Sequence, residues 1–283
     1  MFILKVSVVV PLFNCERFLT DCLESIFNQT YTPSEIIVID DGSTDASLSV
    51  LDAFKSALPS RNLELLKVFH THNLGAASAR NRGILEAKGD LIAFVDADDI
   101  WSTNKLSLQV AEIELRGVDF VCAPGLYLRN GTVEEATPRI NLTNLKKSFV
   151  TSFGINPILP SGLIIKKCAM AKTGLFDTAL KGPSEDYDFN RRVIRELSGA
   201  VITQPLFYYR IHDSNVSGRN VGKIKRDYRL ALTKQCADDR TSTFRRAYLK
   251  FQLELRFFKR GIREKINTLN SIKLSAKTKK HNF

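Results

Sequence analysis

Leu91-Ile92-Ala93-Phe94-Val95-Asp96-Ala97-Asp98-Asp99 is an apolar run of strand length that stops abruptly at three carboxylates. Gly89-Asp90 bounds it in front, and unbroken apolarity suits a strand covered on both faces. Side chains alternate in an extended chain, so Asp96 and Asp98 share one side and Ala97 stays out of their path. Two such charges about 4 Å apart repel by about 1 kcal/mol in water and about 4 kcal/mol at an effective dielectric near 20. A divalent cation turns that repulsion into binding, and hard oxygen ligands suit Mg2+ or Mn2+. The competing reading is an acidic loop after a strand, where Asp is ordinary turn chemistry. On this stretch alone the two readings stand level.

The same grammar recurs on the N-terminal side. Val6 to Val10 is a β-branched run closed by Pro11, after which Asn14 is a candidate cap for a helix to about Asn28 with Phe18, Cys22 and Ile26 on its apolar stripe. Ile36 to Ile39 reads as a second buried strand ending in Asp40-Asp41-Gly42, with Ser43 or Thr44 capping a helix that carries Leu48, Leu51 and Phe54. Leu63 to Phe69 reads as a third strand and Gly75 to Ala87 as an Ala-rich helix; past the acidic strand a helix runs from about Thr103 to Arg116. Strand and helix alternating at this pitch predict parallel βαβ units, an α/β fold. Ligands of open α/β sheets sit beyond the carboxyl ends of the strands. Asn14, Asp40-Asp41, His72-Asn73 and Asp96-Asp98 all fall at such ends.

Further on, Asn130-Gly131 is a hairpin turn signal between Phe120–Leu128 and Thr132–Val133. The text from Pro138 to Ser161 is mixed, loop with short helix. Ser161 to Ile165 is a short apolar strand, Lys166 to Lys172 a helix closing at Gly174, and Val201 to Arg210 contains a strand leading to His212. Pro183-Ser184-Glu185-Asp186 opens another helix, with Ser184 a candidate cap and two acids in the first turn, where the helix dipole favours them.

The 283 residues, 44% hydrophobic and 25% charged, have an ordinary globular composition. The net charge of +11 is unevenly placed: from Asp213 to the end there are 19 Lys and Arg against 6 Asp and Glu, leaving the rest of the chain slightly acidic. The main body therefore has no general affinity for polyanions, which speaks against nucleic acid as its partner. Five widely spaced cysteines without a CxxC pair argue against a disulfide framework or a zinc site and fit a reducing compartment. The opening MFILKVSVVVPLFN reads as a buried strand rather than a signal peptide, and no apolar run approaches the roughly 20 residues needed to cross a bilayer. The expected location is cytoplasmic, in solution or peripheral on the inner face of the plasma membrane.

Six segments in order, VSVVVPLFN, IIVIDDGSTD, HNLGAASARNRGI, AFVDADD, SEDYDFNRR and YYRIHDSNVS, resemble the nucleotide-sugar-dependent glycosyltransferases of family 2, over about residues 6 to 217. The resemblance implies a GT-A fold, Rossmann-like, with a mostly parallel central sheet flanked by helices. It divides residues 1–217 into a nucleotide-binding half to about residue 100 and an acceptor half beyond it, with 218–283 left as a basic helical C-terminal extension. It implies that Pro11, Phe13, Asn14, Asp40 and Asp41 hold the nucleotide base and ribose, a carboxylate accepting the uracil N–H. Asn73 and Gly75 would line the same pocket and Arg80 would lie near the diphosphate. Asp96, Ala97 and Asp98 would form the DxD element, Asp96 meeting ribose and metal and Asp98 ligating Mn2+ or Mg2+, with His212 as a further metal contact. Asp99 would cap the helix beyond Trp101.

The resemblance also implies Asp186 as the base that deprotonates the acceptor hydroxyl, with Glu185 shaping the acceptor site. Trp101 is either core packing or a sugar-stacking platform, and Asn190 stands where many members place Trp. The implied activity is inverting transfer of a sugar from a nucleotide sugar, a UDP-sugar first, to a glycan or lipid-linked glycan in surface polysaccharide or lipopolysaccharide synthesis. The basic tail suits an anionic membrane surface. A sugar-phosphate nucleotidyltransferase is the rival enzyme, but Pro11-Leu12-Phe13-Asn14 lacks its Gly-rich phosphate loop. A non-catalytic nucleic-acid-binding protein would leave the acidic strand ends without purpose.

Overall fold

The computed structural model describes residues 3–59, 66–134, 158–180, 183–213, 226, 228–234, 251 and 254. Most of the Pro138–Ser161 stretch, Gly182, Ser217 and nearly all of the basic tail lie outside them.

The four runs read as strands from the sequence are β1 (Val6–Leu12), β2 (Glu35–Asp40), β3 (Leu66–His70) and β4 (Leu91–Phe94), all parallel to one another. Between them run α1 (Leu19–Phe27), α2 (Ser47–Ala57) and α3 (Ala76–Glu86). Then follow β5 (Ile100–Trp101), α4 (Lys105–Arg116), β6 (Phe120–Cys122), β7 (Gly125–Arg129), β8 (Thr132–Glu134) and β9 (Leu163–Lys166). The short α5 (Met170–Thr173), α6 (Pro183–Glu196), β10 (Gly199–Val201) and β11 (Phe207–Ile211) follow, with 3-10 turns at Pro160–Gly162 and Lys167–Ala169 on either side of β9.

Among the described residues the main sheet has seven strands in the order β10-β6-β9-β4-β1-β2-β3. Only β9 runs against its neighbours, antiparallel to both β4 and β6. The nucleotide-binding and acceptor halves expected from the sequence therefore share one sheet. The run Phe120–Leu128 is not one strand: β6 joins the main sheet, while β7 joins a second sheet ordered β5-β11-β7-β8, which the sequence did not announce. The Asn130-Gly131 hairpin is present between β7 and β8.

Strand alternation sorts the core onto two faces. Val8 and Val10 of β1 pack with Leu23 and Ile26 of α1, Leu51 of α2 and Val110 of α4. Val9 faces the other way, with Ile84 of α3, Phe94 and Phe189 of α6. The β branches of these strands suit a pleated surface buried on both sides. Helix α3 lies close on β1: a Cβ at Gly83 would come 2.3 Å from Cγ1 of Val9, so only glycine fits there.

Three capping expectations fail because other parts of the fold claim the side chains or the chain starts its helix elsewhere. Asn14 sits in the left-handed region (φ 51°), and its Oδ1 accepts the amides of Thr44 (2.8 Å) and Asp45 (3.3 Å), tying the end of β1 to the loop after β2. The Ser43 hydroxyl accepts the Asn14 amide, and α2 starts only at Ser47, whose amide and hydroxyl both bond to Asp45. Ser184 lies inside α6, which begins at Pro183, a residue suited to a first turn because it brings no amide hydrogen.

Candidate active site

The carboxyl ends of β1, β2, β3 and β4 bring together the loops that the sequence marked. At the β2 end, Asp41 is buried and its carboxylate accepts three hydrogen bonds: from the amides of Leu74 (2.8 Å) and Gly75 (2.6 Å) and from the Thr71 hydroxyl (2.5 Å). It thereby fixes a loop in which Asn73 and Gly75 adopt positive φ (53° and 97°), a conformation most open to Asn and Gly. Asp40 is buried too; Oδ1 accepts the Ser43 amide and Oδ2 lies 3.3 Å from Nδ1 of His70. Both carboxylates organise the loops at this end of the sheet. Phe13 and Leu74 are exposed beside them, and Pro11 is half-buried.

At the β4 end, Asp96 and Asp98 are partly exposed while Ala97 and Asp99 are buried. Asp99 does not cap α4. Its Oδ2 accepts the Ser161 hydroxyl (2.5 Å) and its Oδ1 the Arg210 amide (3.1 Å). Burial, with repulsion from Asp98 and Asp96 added, pushes the Asp99 carboxyl well above the usual range. Ser161 in turn accepts the Asp96 amide (3.1 Å) on its hydroxyl and the Trp101 indole N–H (2.9 Å) on its carbonyl. Ser161 thus fixes the acidic loop from beneath, a role not assigned to it from the sequence. Trp101 is buried, with the Lys105 ammonium 4.0 Å from its ring centre, so it is core packing and offers no sugar platform.

His212 Nε2 lies 2.9 Å from Asp98 Oδ2, and its ring packs on Phe18 at 4.5 Å. Arg210 donates from Nε to the Asp98 carbonyl (3.0 Å) and from Nη2 to Asp21 (2.8 Å), anchoring the end of β11 to the same loop. The structure therefore brings His212 onto Asp98, while Asp96 turns to another partner.

That partner is Arg80, in the middle of α3. Its Nη2 donates to Asp96 Oδ1 (2.6 Å), and its Nη1 to Asp186 Oδ1 (2.7 Å) and Glu185 Oε1 (3.0 Å). Residues more than 100 positions apart in sequence meet on one buried guanidinium. Burial raises the Asp186 carboxyl, opposed by Arg80 and reinforced by Asp96, to a net value above the usual range. Glu185 is also raised, by burial first and then by Asp186. Asn190 is buried and donates to the Ile158 carbonyl (2.6 Å), so it ties α6 to the strap before β9.

Among the described residues no group of three or more His, Cys, Asp or Glu side chains is arranged to hold a metal ion. Asp98 and His212, which meet, offer a hard oxygen and an imidazole, donor types that suit Mg2+ or Mn2+ completed by substrate phosphates. No helix among the described residues is long and apolar enough to cross a membrane.

The model of the family described as glycosyl transferase family 2 matches residues 7–171. The glycosyltransferase GlyG of Streptococcus pneumoniae is 41% identical over 117 residues, 41% of this chain and 37% of GlyG, so the chain spans well under half of that relative. WfaP of Escherichia coli, a UDP-Glc:alpha-D-GlcNAc-diphosphoundecaprenol beta-1,3-glucosyltransferase, is 29% identical over 232 residues, covering 78% of this chain and 83% of WfaP. Among solved structures, residues 1–349 of Staphylococcus aureus TarS in complex with UDP-GlcNAc superpose with a TM-score of 0.70 at 22% identity, covering 90% of this chain and 73% of that one. With the match spanning the acidic loop and its strands, and the same fold recurring in these structures, the chain belongs to glycosyltransferase family 2 and carries the GT-A fold.

Proposed function

We propose that this enzyme is an inverting, metal-dependent glycosyltransferase that moves one sugar from a UDP-sugar to a hydroxyl of a glycan or lipid-linked glycan in surface polysaccharide synthesis. The observation that carries the reading is the convergence of a donor-side carboxylate, Asp96, and an acceptor-side carboxylate, Asp186, on Arg80. The relatives support the donor and acceptor classes: WfaP is named for UDP-Glc and a diphosphoundecaprenol-linked sugar, and TarS is solved with UDP-GlcNAc.

The nucleotide lies at the carboxyl ends of β1 to β3, with Phe13 and the Asn73–Gly75 loop as its walls. Asp40 and Asp41 act indirectly, by holding those walls in shape. Asp186 takes the proton of the acceptor hydroxyl; burial makes it a stronger base than an exposed aspartate. The acceptor oxygen bonds to the anomeric carbon from the side opposite the diphosphate as the carbon–oxygen bond to the diphosphate breaks, and the nucleoside diphosphate leaves with that electron pair. Inversion follows from the single displacement. Asp96, Asp98 and His212 would hold a divalent cation, which when bound stabilises the charge of the departing diphosphate. Glu185, nearly enclosed, sets the floor of the acceptor side.

The test is UDP release from UDP-Glc and UDP-GlcNAc with Mn2+ and with EDTA. Asp186→Asn is expected to keep UDP binding and lose transfer, and Asp98→Ala to weaken Mn2+-dependent UDP binding. Normal turnover in Asp186→Asn removes the base assignment, and full turnover in EDTA removes the metal. The basic tail from residue 218, of which the described Tyr228, Ala231 and Leu232 are buried, is proposed to meet anionic lipid. Co-sedimentation with phosphatidylglycerol vesicles at low salt, lost on deleting 218–283, is the expected result, and no binding by the full chain refutes it.

A further inference from the structure

We propose that Arg80 is a positioning residue: it holds the base Asp186 in place relative to the acidic loop, and it competes with a divalent cation for Asp96. The inference deepens the functional reading above and rests on its assignment of Asp96 and Asp186.

The geometry singles out Arg80. It is buried on an Ala-rich helix, and its two terminal nitrogens face different elements, Nη2 toward the loop after β4 and Nη1 toward the first turn of α6. A guanidinium is a rigid planar fork, so two carboxylates held on its two prongs keep a fixed separation and orientation. The ring of Phe176 lies 5.4 Å from the guanidinium carbon and limits its tilt. Nε is buried and, among the described residues, has no hydrogen-bond partner, so the group is held by its forked end alone.

Two consequences follow from which oxygens are used. Asp186 is held through Oδ1, and among the described residues its Oδ2 makes no hydrogen bond. The prong therefore leaves one defined oxygen of the base for an acceptor hydroxyl. Asp96 is also held through Oδ1, the kind of hard oxygen a divalent cation takes. Cation and Nη2 compete for that carboxylate, and the positive charge given up by Asp96 remains on Asp186 and Glu185. Loading of the donor side thereby tightens the hold on the base side, a reciprocal linkage between two ligands. This differs from the diphosphate contact that the sequence implies for Arg80, because the guanidinium is turned to three protein carboxylates.

The experiment uses the full chain with Arg80→Lys and Arg80→Gln, titrating UDP and Mn2+ by calorimetry and measuring UDP release from UDP-Glc and UDP-GlcNAc. Lys keeps the charge but lacks the planar fork that fixes which oxygen of Asp186 is held, so turnover is expected to fall roughly 10- to 100-fold, as for other residues that orient a site, with the Kd for UDP and Mn2+ nearly unchanged. Gln removes the competitor for Asp96, so that Kd is expected to tighten while turnover falls by about 100-fold. If Arg80→Gln fails to fold, the charge-preserving Lys variant still decides the matter. A Kd weakened by about tenfold or more, as a lost phosphate contact would give, overturns the proposal, and so does unchanged turnover in the Lys variant. If the unaltered chain binds no UDP in the presence of Mn2+, the functional reading itself falls; if it binds UDP and the variants show no split between Kd and turnover, only the role of Arg80 falls.

Discussion

Replacing Ser161 by Ala removes one hydroxyl that does two things at once: it accepts the Asp96 amide at 3.1 Å and donates to Asp99 Oδ2 at 2.5 Å. Ser161 is fully buried and Asp99 is 1% exposed, so water does not replace the lost oxygen. Each buried group left without its partner costs about 1–3 kcal/mol, and more for an ionised one. Asp99 keeps the Arg210 amide on its other oxygen, which limits the loss. The two contacts together predict a destabilisation of about 2–5 kcal/mol, a large part of the 5–15 kcal/mol typical of a domain. Core packing is spared, because the Trp101 indole bonds to the Ser161 carbonyl, which alanine retains. The urea midpoint of Ser161→Ala should fall with an unchanged slope. Because the same hydroxyl fixes the amide of Asp96, the affinity for UDP and Mn2+ should drop about tenfold or more, the usual cost of loosening a ligand's support. An unchanged urea midpoint refutes the energetic reasoning. A lowered midpoint with unchanged affinity shows that Ser161 serves the fold and not the acidic loop.

The pH profile of transfer should report Asp186: the base works ionised and its carboxyl lies above the usual range, so kcat/KM falls on acidification at a higher pH than for an exposed Asp near 3.9. A profile flat down to about pH 4.5 contradicts the assignment. Glu35 is buried, and although burial alone raises its carboxyl, Lys67, the Ser7 hydroxyl and the Lys88 amide bring it below its ordinary value. A lowered folded pKa stabilises above the unfolded value and the benefit is lost as pH falls, so Glu35→Gln should cost about 1–3 kcal/mol at pH 7 and progressively less below about pH 4 by urea denaturation. An equal cost at both pH values rules this out. Gly83→Ala would set a methyl against Val9, and overpacking of about 1–3 kcal/mol should outweigh the roughly 1 kcal/mol of helix propensity gained; a raised melting temperature would show that α3 sits more loosely on β1.

Strands β1, β2 and β4 were legible because each is built on a mainly apolar run, and burial on both faces is what such a run encodes. The caps were not: a free Asn or Ser oxygen near a helix start bonds to whichever amide the fold brings nearest, and for Asn14 those amides belong to the loop after β2. The second sheet escaped notice because its pairings join short, unrelated segments, such as Phe207 of β11 with Gly125 of β7, and strand partnership leaves no local mark. Among the site residues, Asp98 and His212 meet although 114 positions separate them, whereas Trp101 was ambiguous from sequence and is buried in the structure. The Arg80 junction was unreadable, since nothing in an Ala-rich helix says which of its two arginines will face two acids 105 and 106 residues away. A small signal for Ser161 was available only in retrospect: a lone hydroxyl between Pro160 and Gly162 just before an apolar strand.

Strand β9 reaches back from beyond residue 160 to lie between β4 and β6, against the direction of both. Until the ribosome has delivered it, Leu91, Ile92 and Ala93 form an open, oily sheet border of the kind that recruits other chains. The first hundred residues are therefore ill suited to be cut out and expressed as a portable nucleotide module. A useful minimal fragment has to extend at least through Lys166, where that border is closed.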